Sequence, residues 1–131
     1  MTLLALLLGC APGPLMDTGA LPEAPSYAHD VQPILEARCV RCHQRGRPML
    51  AGVELDSYEA AHATRVSSVC TAISPDLVER FGDHLLPLAG SQDMGPCEGF
   101  RVLSMPPGAS DPLPYDEQLL LARWVAAGAM E

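Results

Sequence analysis

The sequence predicts an all-α fold of about four short helices joined by long loops. Three observations lead there. Apolar positions recur at helical spacing in several short stretches, whereas no stretch alternates as a half-buried strand does. Thirteen prolines and eleven glycines in 131 residues interrupt the chain often and leave few long elements. Helix-starting residues, Asp30, Asp56 and Ser74, stand at the head of the periodic stretches. The length allows one domain plus short extras, and no internal repeat follows the N-terminal region.

The chain opens MTLLALLLGC. Leu3 to Leu8 form an apolar run far too short to span a bilayer. Leu7, Leu8, Gly9 and Cys10 resemble a bacterial lipobox, which predicts removal of residues 1–9 as a signal peptide and acylation of the Cys10 thiol. Several acyl chains make such anchoring stable. The basic n-region of a full secretory signal is missing. Residues 10–26 then read as a lipidated cysteine and a linker with four prolines and no apolar periodicity. The folded domain is expected over residues 27–131.

Asp30 is the expected cap of the first helix. Pro33 is tolerable in its first turn, and Val31, Ile34 and Leu35 lie on one face. This helix delivers Cys39 to His43 at its end. GRPMLAG reads as a loop. Asp56, with Glu59 three positions on, looks like a capping-box variant opening a helix from Tyr58 to about Val66. Ser74-Pro75-Asp76 opens a short helix through Phe81, and residues 82–114 are loop-rich. The last helix is expected from Tyr115 to about Ala127. Leu120, Leu121, Trp124 and Val125 form its apolar stripe, and Gly128 stops it.

The net charge is −8, which argues against nucleic acid as a partner, because phosphate binding needs a basic face. An acidic surface ordinarily serves solubility, or steers docking to a basic partner. Aromatics make up 5% of the chain, with Trp124 the single tryptophan. That is lean for a core built from protein alone, and a large bound cofactor would supply missing apolar surface.

Residues 37–44 read ARCVRCHQ. The C-x-x-C-H pattern of Cys39, Cys42 and His43 is the attachment signature of c-type haem. Two thiols at i and i+3 on one helical turn can reach the two vinyl groups of one porphyrin, and the next histidine can reach the iron. A zinc site would need two more ligands at sensible spacing, and no second C-x-x-C exists. A thioredoxin-like dithiol expects a βαβ setting, and no strand is predicted.

With His43 on one axial side, the iron needs a second donor. Met105 lies in LSMPPG, where Pro106 and Pro107 stiffen the backbone after it. A stiff loop suits a weak thioether ligand, and His/Met ligation raises the reduction potential. Met94, in a Gly/Gln/Asp loop, is the rival; Met16, Met49 and Met130 read as fillers or exposed residues. His29, His62 and His84 read as surface or capping residues, with a bis-histidine site through His62 or His84 the weaker alternative.

HDVQPILEARCVRCH, LAGVELDSYEAA, SMPPG and LLLARWVAAGA together resemble the monohaem class I cytochromes c, and most of all the planctomycete-type cytochrome c domains of secreted bacterial proteins. The resemblance covers nearly all of residues 27–131. It implies a small cytochrome c fold with the first and last helices crossing beside the haem. It also implies thioether bonds at Cys39 and Cys42, His43 as proximal ligand, Met105 as distal ligand and Trp124 in the core. Pro114 departs from it, standing where a Ser or Thr cap is usual. So does the long segment from Val69 to Gly99, which carries Cys70 and Cys97. In an oxidising compartment these two are expected to pair. A loop of that length is worth about 3.5 kcal/mol in the chain-entropy model, and would restrain the approach to Met105.

The resulting expectation is an electron carrier rather than an enzyme. It holds one haem c and works as a monomer with redox partner proteins. It faces the periplasm from a lipid anchor, with the outer membrane favoured because Ala11 rather than aspartate follows Cys10. Two alternatives stay open. One is a haem sensor or haem enzyme with a displaceable methionine, although no distal acid–base constellation is visible. The other is an anchored non-haem module with a redox or metal-binding C-x-x-C.

Overall fold

The computed structural model describes residues 18–47, 53–82, 85, 97, 105–107 and 112–131. The proposed signal peptide, Cys10, Met16, Met49, His84 and Met94 lie outside the described residues. Among those described the chain is all-α, with no strand. A single 3-10 turn at Thr18–Ala20 precedes a π-helical turn, Tyr27–Val31, which runs directly into α1, Gln32–Arg38. Then follow α2, Tyr58–Ala63, α3, Arg65–Ala72, α4, Pro75–Phe81, and α5, Tyr115–Ala126.

The first helical segment begins earlier than Asp30, and its cap is Ser26. The Ser26 hydroxyl accepts from the His29 amide at 3.2 Å, and the Asp30 carboxylate accepts from the Ser26 amide at 2.8 Å. Asp30 therefore closes a reciprocal box from inside the helix, and two otherwise orphaned amides are satisfied. The wide first turn, in which the Gln32 amide donates to the Tyr27 carbonyl, leads the chain into α1, where Pro33 needs no amide partner.

Tyr58 does open a helix, but its cap is Ser57, which accepts from the Ala60 amide at 3.2 Å. Asp56 instead accepts from the Arg45 amide at 3.0 Å and ties the loop after His43 to this helix start. The expected run to Val66 is two helices. Thr64 leaves helical geometry, its hydroxyl donates to the Ala60 carbonyl, and α3 starts afresh at Arg65. Five helices are thus described rather than about four, and α3 was not legible as an element of its own.

The core forms where α5 packs on the opening turn, α3 and α4. Trp124, Leu119, Leu77, Ile73 and Val31 are fully enclosed there, and such side chains each contribute about 1.5–3 kcal/mol by leaving water. Leu119, rather than Leu120, lies on the most buried side of α5; Leu120 is half-buried at its edge. An aromatic cluster ties the ends of the domain together. Tyr27 stacks edge-on against Tyr58 at 5.3 Å and lies 6.0 Å from Trp124. The Met130 carbonyl accepts from the Trp124 indole at 2.8 Å and from the Tyr27 amide at 3.2 Å. Gly128 stops α5 with φ of +100°, where a Cβ would be strained.

Two buried polar side chains stitch the loops. Gln118 accepts from the Ser74 amide at 2.8 Å and donates to the Leu113 carbonyl at 2.7 Å, joining the starts of α4 and α5. Arg123 reaches back to the segment read as the end of the linker. It donates to the Leu21 and Pro22 carbonyls at 2.9 and 3.3 Å and pairs with Glu23 at 3.1 Å. Residues 21–23 are therefore held against α5.

Candidate functional site

Cys39 ends α1. Its carbonyl accepts from both the Cys42 amide, at 3.0 Å, and the His43 amide, at 2.8 Å. One tight turn thus carries Cys39, Cys42 and His43 together, for the sequence reason that a helix which ends at Cys39 can fold its next four residues back onto that carbonyl. The His43 carbonyl accepts from the Leu55 amide at 2.8 Å, which fastens the turn to the segment before α2.

The imidazole of His43 has a set direction. Its Nδ1 lies 3.3 Å from the Val53 carbonyl oxygen. A carbonyl only accepts, so this contact puts the proton on Nδ1 and leaves the Nε2 lone pair available to a metal.

Cys39, Cys42 and His43 line a cavity of about 580 Å³, and Met105 lines the same cavity. Pockets for cofactors commonly hold about 300–1,000 Å³. Much of the remaining wall is apolar, including Leu35, Val69, Leu121 and Trp124. α3 contributes a second wall whose hydroxyls are already satisfied: Thr71 donates to the Ser67 and Ser68 carbonyls, and Ser67 to the Thr64 carbonyl. The amide of Met105 donates to the Thr71 carbonyl at 3.1 Å, so α3 fixes the backbone of that methionine. Met105 itself is 36% exposed.

Cys70, on α3, is bonded through sulfur to Cys97, and both are buried. Cys39 and Cys42 are free thiols. Burial, assisted by Glu117 and opposed by Arg38, pushes the Cys39 thiol up to about 11. A thiol with so high a pKa is a poor nucleophile at neutral pH, unlike the low-pKa cysteine of dithiol oxidoreductases. Among the described residues no group of three or more His, Cys, Asp or Glu side chains is arranged to hold a metal ion.

His62 lies against Tyr58 with ring centroids 5.5 Å apart, and His29 is exposed; neither lines the cavity. Sequence reasoning missed three arginines on the cavity wall, Arg38, Arg41 and Arg65. The signal for Arg38 and Arg41 was the run of arginines around the C-x-x-C-H stretch; Arg65, far along the chain, had none. Among the described residues no helix is long and apolar enough to cross a membrane. Comparison with protein-family models, with curated proteins and with solved structures returned no match.

Proposed function

We propose that this chain is a monohaem c-type cytochrome of the class I kind, acting as an electron carrier. The observation that carries the reading is the single cavity shared by the Cys39-Cys42-His43 turn and Met105. The residues fit the group: two thiols on one turn, an imidazole whose Nε2 is free, a thioether and an apolar wall. Cys39 and Cys42 would hold the haem by thioether bonds, with His43 and Met105 as its axial ligands. When bound, the haem supplies a one-electron ferrous/ferric couple whose potential is raised by thioether ligation.

The chain's own residues do the remaining work. The Val53 carbonyl orients His43 and keeps its tautomer. The Thr71 carbonyl holds the Met105 backbone, and the Cys70–Cys97 bond holds α3. Leu35, Val69, Leu121 and Trp124 would give the bound group an apolar wall. With His43 and Met105 both holding the group, no open position would be left for bond-making chemistry, which favours a carrier over an enzyme. In this proposal Cys10 is the lipidated anchor of an outer-membrane lipoprotein, and the domain faces the periplasm and acts as a monomer toward redox partner proteins.

One observation favours a second reading, a haem sensor or haem enzyme: Met105 is partly exposed, as a displaceable ligand would be. The experiment is a spectrum of the matured protein before and after extraction with acidified organic solvent. Haem that stays with the denatured chain, is lost in Cys42→Ala, and gives a low-spin spectrum with the long-wavelength Met-to-ferric band supports the carrier. A high-spin ferric spectrum supports the second reading. Freely extracted haem, or a colourless protein, overturns both.

A further inference from the structure

All eight basic residues of this chain are arginine. Four of them, Arg38, Arg41, Arg45 and Arg47, fall in the single stretch RCVRCHQRGR, which contains no acid. The rest of the chain carries the other four arginines and all sixteen acids. The fold adds to this segregation, because Arg65, from the start of α3, joins Arg38 and Arg41 on the cavity wall.

Not all of that charge is available. Arg38 is held by Glu117 through two bonds of 3.1 and 3.2 Å. Arg45 stands 3.8 Å from Glu54. Arg41 and Arg47 are exposed and form no ion pair among the described residues. Arg65 donates to the His62 carbonyl at 2.7 Å, a neutral acceptor that leaves its charge uncompensated. Two uncompensated cations, Arg41 and Arg65, thus stand on the cavity wall of a molecule whose net charge is −8.

We infer that the cavity mouth is the docking face for an acidic surface of a redox partner protein, with Arg41 and Arg65 meeting its carboxylates. This rests on reading the cavity as an electron-transfer site. The net charge alone would select a cationic partner, but a local field governs the final approach when salt screens the distant charges. Guanidinium groups match carboxylates in planar, bidentate fashion. A protein partner fits better than a lipid surface, because the large exposed apolar side chains among the described residues are only Met105 and Met130, too few to enter a bilayer.

The test uses the matured, reduced protein at low ionic strength with two substitution-inert paramagnetic probes, hexacyanochromate(III) and hexaamminechromium(III). The anionic probe is expected to broaden amide resonances of residues 38–47 and 65, while the cationic probe broadens others. Arg41→Glu should weaken the anionic effect by about tenfold. Arg80→Glu makes the same change in net charge away from the cavity and should leave the pattern in place. An anionic probe spread over the whole surface, or equal effects of the two substitutions, overturns the inference. The map does not depend on haem: a colourless protein with the expected map sinks the carrier reading, and with it the redox character of the partner, but not the basic face, whereas a red protein without the map sinks the docking face alone. In a second arm, an octa-aspartate peptide should bind the Cys10→Ser protein through the same residues. Tighter binding to phosphatidylglycerol vesicles than to the peptide overturns the choice of partner.

Discussion

The amide of Met105 donates to the carbonyl of Thr71 at 3.1 Å, and Thr71 directly follows Cys70, whose sulfur is bonded to Cys97. The backbone of the proposed distal ligand is thus held by the helix that carries the disulfide. Rigidity at Met105 has two sources: the prolines beside it, and an acceptor on α3.

This link makes the disulfide a support for the axial bond. Replacing Cys70 and Cys97 together by alanine should cost up to about 3.5 kcal/mol of stability, the chain-entropy value for a loop of this length. Haem attachment should survive. The Met-to-ferric band should weaken, and cyanide should bind faster than in the wild type. Met105→Ala should abolish that band outright while the protein stays red. Denaturant titration and cyanide kinetics on the three proteins check the pattern, and an unchanged Met105→Ala spectrum would move the ligand elsewhere.

Arg123 is 4% exposed, whereas its partner Glu23 is 87% exposed. The ion pair itself should therefore matter little, and Glu23→Gln should cost under about 1 kcal/mol. Arg123→Met also removes the donors to two carbonyls, so a loss of about 1–3 kcal/mol is expected. Residues 21–23 should then become open to proteolysis. Limited digestion followed by N-terminal sequencing would show this. Protection equal to that of the wild type would mean that Leu21, which packs on the core, holds the segment without help.

The junction of α4 and α5 should respond to acid. The Ser74 hydroxyl holds the Asp76 carboxyl below its ordinary value, assisted by the Tyr115 hydroxyl at 3.1 Å. A depressed carboxylate contributes stability above its unfolded pKa of about 3.9, and that contribution is lost as pH falls through the lower folded value. Tyr115 is shifted the other way, raised by burial and then by its bond to Asp76. Its contribution is present below its unfolded pKa of about 10 and is lost as pH rises through the higher folded value. Thermal melts should therefore show less acid sensitivity in Asp76→Asn, and less alkaline sensitivity in Tyr115→Phe. Parallel curves for wild type and both variants would contradict this.

The sequence by itself determined the all-α class, the starts at Tyr58 and Pro75, the last helix with Gly128 as its stop, and the candidate residues Cys39, Cys42, His43 and Met105. These depend on local rules: periodicity, proline and glycine geometry, and chemistry encoded at fixed spacing. The tertiary structure decided what depends on partners distant in the chain. Asp30 and Asp56 were read as caps, but the serines Ser26 and Ser57 accept from the first-turn amides, while Asp30 closes the box onto the Ser26 amide and Asp56 accepts from the Arg45 amide. α3 was hidden because Thr64 breaks a run whose periodicity continues, and its helical state draws on packing against α5. The burial of Arg123 is also tertiary, because Leu21 and Pro22 supply its carbonyl acceptors from the far end of the domain. The meeting of the C-x-x-C-H turn with Met105 in one cavity is likewise tertiary, since no local rule spans the chain between them.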